Sequence, residues 1–144
     1  MGFLADEVKI TKLADATVAG ITQINSAVID MQGYDAVLFL TSAGVIAATG
    51  TAVVKVQQDV SLAFGAGADL AGTGQSFIDT DDNKSVAVDV KRPLERFLRL
   101  VITRATANSD WSPIWAIQYR SRKLPVTQGL DKFEKWEAPA EGVA

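Results

Sequence analysis

The 144-residue chain contains neither cysteine nor histidine. The first absence removes disulfides, thiol nucleophiles and thiolate metal sites. The second removes the commonest general base, the commonest metal ligand and the usual pH switch near neutrality. A serine or threonine nucleophile would then need a lysine or carboxylate base, and no local motif proposes such a pair. No catalytic residues and no enzymatic activity are expected. No apolar run approaches the ~20 residues that span a bilayer as a helix, so no membrane partner is expected. The chain has 14 Lys and Arg against 17 Asp and Glu, a net charge of −3, with the basic residues scattered. A nucleic-acid partner is therefore not expected either. In the opening MGFLADEVKI, Asp6 and Glu7 directly follow the apolar residues and no basic lead-in precedes them, which does not read as a secretory signal.

What is present is apolar and β-branched. Hydrophobic residues make up 48% of the chain, and its length suits one domain that buries about 70% of the surface its unfolded form exposes. Apolar residues recur with period two or in short runs, the signature of strands. In SVAVDVK, Val86, Val88 and Val90 share one face, opposite Ser85 and Asp89. In TAVVKVQQ, Ala52, Val54 and Val56 point inward and Lys55 and Gln57 outward. YDAVLFLT and FLRLVITRA are apolar on both faces, which places them centrally or under a covering segment. The expectation is an all-β, antiparallel sandwich or barrel of about eight to ten strands, near 16–22, 26–31, 34–41, 44–48, 51–58, 61–64, 75–79, 85–91, 97–105 and 111–120.

Three local patterns propose chemistry and do not complete it. GAGADLAGTG (65–74) is as glycine-dense as a phosphate loop, but its spacing fits neither the dinucleotide fingerprint nor the Walker pattern. It reads as a mobile surface loop ordered by contact with another subunit, with no nucleotide or other cofactor expected. In DTDDNK, Asp79, Asp81 and Asn83 match positions one, three and five of a calcium loop, yet Lys84 stands where glycine is required and Val90 where glutamate is. A tight turn explains the cluster, and no metal site is expected. Trp111, Trp115 and Trp136 are candidate sugar-stacking platforms. However, Trp111, Trp115, Ile117 and Tyr119 are spaced to share one strand face, which reads as core or subunit contact.

The succession DMQGYDAVLFLTSAG, TAVVKVQQ, ADLAGTG, DDNKSVAVDVKRPLERFLRLVITRAT and a tail ending in PAEGVA resembles a group of small structural proteins of tailed phages, from about residue 17 to the end. The resemblance implies a head decoration or cement protein with a jelly-roll-like β-sandwich fold that binds the outside of the capsid lattice as a dimer or trimer. Its implied partners are the major capsid protein and further copies of itself, and its implied location is the outer surface of the virion head, after assembly in the host cytoplasm. A head–tail or tail component and a lectin-like, carbohydrate-binding module are the alternatives.

The ends of the chain fall outside the strand pattern. Residues 1–15 read as an N-terminal arm, 16–120 as the sandwich and 121–144 as a C-terminal arm. The arms carry Phe3, Leu4, Leu124, Leu130, Phe133 and Trp136, apolar side chains without a core of their own. These six are the candidate capsid or subunit contacts.

Overall fold

Alternate valines, leucines and isoleucines can be buried only if each strand lays one face on a second layer, and the chain does this with two antiparallel sheets. The computed structural model describes residues 2–138 and 140–143. After a single helical turn, α1 (Leu4–Glu7), come β1 (Lys9–Ala14), β2 (Thr17–Gly20), β3 (Ile24–Asn25), β4 (Ile29–Asp30), β5 (Tyr34–Ile46) and β6 (Thr51–Asp59). Then follow β7 (Ala68–Asp69), β8 (Gln75–Ile78), β9 (Ser85–Lys91), β10 (Phe97–Ala105), β11 (Ser109–Trp111) and β12 (Ile114–Ser121). One sheet runs β1-β12-β5-β11-β2 with β9 also on β5; the other runs β3-β10-β6-β7 with β4 on β10 and β8 on β6.

The core lies between the sheets. Val37, Phe39, Val88, Ile114 and Ala116 come from the first; Val54, Val56, Leu98, Leu100 and Ile102 come from the second. Phe77 stands edge-on to Trp111, with ring centroids 5.1 Å apart and planes at 76°. The doubly apolar segments β5 and β10 are both interior strands of their sheets. From Phe97 opposite Asp59 to Ala105 opposite Thr51, β10 and β6 pair without a register shift.

Among the described residues two charged side chains are buried in this frame, Asp59 and Arg104. Arg104 donates from Nε to the Thr22 carbonyl at 2.7 Å, from Nη1 to the Val18 and Ser109 carbonyls and from Nη2 to the Thr22 hydroxyl. Burial lowers its pKa, and the carbonyls disperse a charge that no carboxylate among the described residues pairs. Gly20 makes room for it: a Cβ there would stand 3.1 Å from the guanidinium.

Several expected boundaries move. Residues 61–64 form a turn instead of a strand, with Phe64 at φ 55°. The expected strand 44–48 is the end of β5, which passes from β12 to β11 along its length. Residues 26–31 split, because only Ile29 and Asp30 pair, with β10. The 111–120 segment breaks at Ser112 and Pro113, so Trp111 leaves the face it was expected to share and enters the core, 2% exposed. The N-terminal arm of residues 1–15 contains β1, an edge strand with a register shift between Lys12 and Ala14.

The glycine-rich loop is at the surface, and its own sandwich orders it. The Asp59 carboxylate accepts from the amides of Ser61 and Ala66, so these N–H groups face inward instead of toward an external anion. Phe64 lies under the Arg99 guanidinium at 4.4 Å, and β7 pairs with β6. A Cβ on Gly67 would meet the Phe64 ring at 2.5 Å, a close approach that requires glycine. The acidic turn is likewise structural. Asp79 accepts from the Thr49 amide, Asp82 from the Ile46 amide and Asp81 from the Ile78 amide and Lys84 ammonium. Asp110 accepts from Val45, so three carboxylates strap the chain where it crosses from β5 to β6. Among the described residues, no three Asp, Glu, His or Cys side chains are grouped to hold a metal.

Candidate interaction surface

Because side chains alternate across a strand, burying Ile114, Ala116 and Gln118 of β12 turns Trp115, Ile117 and Tyr119 outward. Their neighbours continue the face. In one row Ile10 of β1, Ile117, Leu38 of β5 and Asp89 of β9 stand side by side; in the next stand Lys12, Trp115, Leu40 and Ala87. Apolar residues thus fill the middle of the outer face of β1-β12-β5-β9, where one side of an antiparallel sheet ordinarily carries polar groups. The Tyr119 hydroxyl donates to the Asp89 carboxylate at 2.7 Å, a bond that raises the tyrosine pKa. Tyr119 lies directly opposite Ala36, which is fully buried.

At the β1 side of this face the two ends of the chain meet. Gln128 accepts from the Ile10 amide at 3.0 Å through Oε1, while its Nε2 donates to the carbonyls of Ala5, at 2.8 Å, and Val8. The Val126 amide donates to the Asp6 carbonyl, and Val126 is buried. Lys135 pairs with the Asp6 carboxylate at 2.7 Å and lies 5.5 Å from the Phe3 ring centre. One polar residue, Gln128, therefore serves backbone groups before and inside β1 that have no strand beyond them.

The six apolar residues proposed from sequence divide into groups around this clasp. Leu4, 70% exposed, and Leu124, 57% exposed, line one hollow of about 710 Å³ with Ile10, Leu38, Ile117 and Tyr119. Leu130 is partly buried in a smaller hollow beside Trp115 and Lys12. Phe3 lies under Lys135. Phe133 and Trp136 are exposed, and the Trp136 indole N–H donates to Glu134. The tail thus rests on its own N-terminus through hydrogen bonds while its large apolar groups stay at the surface.

Ile10 is among the apolar residues expected to dock from the N-terminal arm, whereas Leu38 and Leu40 do not stand out from the sequence as surface residues. The signal was the double-faced apolarity of YDAVLFLT, which suits either a covered strand or one that is waiting for a cover. The three tryptophans do not share a platform: Trp111 is in the core, Trp115 on the outer sheet face and Trp136 in the tail.

No family model matches the chain, and no curated protein does. Among solved structures, a chain from Bacillus endospore appendages, described as a family of disulfide-linked pili, is similar at 16% identity with a TM-score of 0.44. The match covers 83% of this chain and 96% of that one.

Proposed function

We propose that this protein is a non-enzymatic structural component of a tailed-phage virion, a decoration protein that self-associates and bridges neighbouring subunits on the outside of the head. The observation that carries the reading is the terminal clasp, beside which Leu4 and Leu124 stand exposed on an apolar sheet face, with Phe133 and Trp136 exposed farther along the tail. Water solvates such side chains poorly, and exposed apolar groups in a fixed geometry fit a protein partner. The resemblance of the sequence to tailed-phage decoration proteins points the same way. On a symmetric shell each contact can be modest, because many repeats of it act together.

The test is binding of purified protein to heads that lack it, followed by co-sedimentation. The reading expects saturable binding that Trp136→Ala and Leu124→Ala weaken at least fivefold. Absence of binding to heads, with binding instead on a glycan array that Trp115→Ala or Trp136→Ala abolishes, would replace it with the carbohydrate-binding reading.

A further inference from the structure

We propose that the outer edge of β9 accepts an extended segment of a different polypeptide as an added antiparallel strand.

The register of β9 on β5 decides which backbone groups that edge offers. The Arg92 amide donates to the Asp35 carbonyl at 2.7 Å, and the Ala43 amide donates to the Lys84 carbonyl at 2.9 Å. Between these two bonds the strands pair residue for residue without a shift. Hydrogen-bonded pairs alternate along an antiparallel ladder, so Val86, Val88 and Val90 direct their N–H and C=O groups at β5, while Ser85, Ala87, Asp89 and Lys91 turn theirs away from it. No other strand pairs with β9, and among the described residues no side chain meets the outward row. Comparable groups elsewhere are taken. On β1 the Ile10 amide donates to Gln128 and the Leu13 carbonyl accepts from the Ala27 amide; on β8 the Ile78 amide donates to Asp81. A row of alternating donors and acceptors at strand spacing is complementary to one ligand chemistry, an extended peptide backbone.

Side chains along β9 say what that peptide carries. Val86, Val88 and Val90 face the core, yet only Val88 is buried; Val86 and Val90 remain part-exposed at the border of the sheet. Alternate apolar residues of an added strand would lie beside these valines and widen the core. On the outer face Asp89 accepts from the Tyr119 hydroxyl, and Lys91 forms no ion pair among the described residues. Lys84, before the strand, pairs with Asp81, and Asp35, across from Arg92, pairs with Arg122. The fitting segment therefore sets an acidic residue opposite Lys91 and a basic one opposite Asp89. β9 of a second copy fits less well. Centred on Val88, self-pairing puts Lys91 against Ser85 and Asp89 against Ala87, so neither charge is matched. Shifted to match Asp89 with Lys91, it runs into Arg92, at φ 54°, and Pro93, which has no N–H.

The capped heptapeptide EVKVTVT, antiparallel to β9, places its glutamate opposite Lys91, its lysine opposite Asp89 and its valines inward. Residue-resolved amide exchange of the full chain reads its binding. Peptide at millimolar concentration should slow exchange at Ala87, Asp89 and Lys91 about fivefold and leave Val86, Val88 and Val90, already held by β5, unchanged. N-methylation of the third and fifth peptide amides, which face β9, should abolish the effect; N-methylation of the fourth, which faces away, should not. Ala87→Pro removes an outward N–H and no bond to β5, so it should keep the circular dichroism spectrum and lose the peptide. The methylated peptides decide the matter even where that variant does not fold. Unchanged exchange at millimolar peptide, slowing outside β9, or equal loss with either methylation pattern overturns the proposal. So does protection of Ala87 and Asp89 that grows with protein concentration alone, which would assign the edge to a second copy. Peptide binding without binding to heads would count against the decoration reading alone.

Discussion

Gln128 and Ala5, 123 residues apart in sequence, are joined by a 2.8 Å hydrogen bond from the side-chain amide to the backbone carbonyl. The same side chain serves Val8 and Ile10, so one residue fixes the entry of the chain into β1. Gln128→Ala should open this corner without melting the sandwich. Loss of a partly buried bond set of this kind weakens local structure by about 1 kcal/mol, which is a several-fold faster amide exchange over residues 5–10. Hydrogen exchange would read it. A fall of several kcal/mol in global stability would mean that the clasp belongs to the core.

The tryptophans should separate sharply in stability. Trp111→Ala removes a buried ring that packs on Phe77 and should destabilise by about 3–5 kcal/mol. Trp136→Ala, in the exposed tail, should stay within about 0.5 kcal/mol. Urea denaturation of both variants checks the pair.

Arg104 should prove costly to replace although its partners are carbonyls and a hydroxyl. Arg104→Met leaves the Thr22, Val18 and Ser109 carbonyls without their donor and should lose about 2–4 kcal/mol. Lysine lacks the planar fork that reaches several carbonyls at once, so Arg104→Lys should recover only part of this. Thermal melts at neutral pH give the order.

Acid should loosen the loop that follows β6. Amide hydrogen bonds from Ser61 and Ala66 hold the Asp59 carboxyl below its ordinary value of 3.8. With the folded value depressed, the stabilisation is present above that ordinary value and is lost as pH falls through the folded one. Asp59→Asn should therefore be less stable than wild type at pH 7, and the gap should close below about pH 4. Denaturation midpoints measured from pH 7 to pH 2 test the sign; a gap that widens in acid would contradict it.

Where the apolar pattern is regular, sequence and structure agree on the bounds: β9, whose burial alternates, occupies 85–91, and β10, apolar on both faces and interior to its sheet, occupies 97–105. Elsewhere the local pattern does not carry the information. In β1 the two apolar side chains of KITKL lie on opposite faces, Ile10 outward and Leu13 inward, so neither face reads as apolar and the strand is hidden from a period-two reading. Pro113 separates Trp111 from Trp115 and reverses the side the first ring takes, although their spacing is even. The clasp depends on Gln128, an ordinary polar residue whose role appears only when residues 5–10 lie beside it. The aromatic and aliphatic content of the tail was legible; the partner of its backbone was not.

Cryo-electron microscopy of purified virions, with the copy number from quantitative mass spectrometry, tests the central proposal most directly. The account predicts many copies per particle in fixed ratio to the coat protein, as density on the outer surface of the head with the terminal clasp turned toward the lattice. Absence of the chain from the particle, or a single ring of copies at the neck or tail, would contradict it.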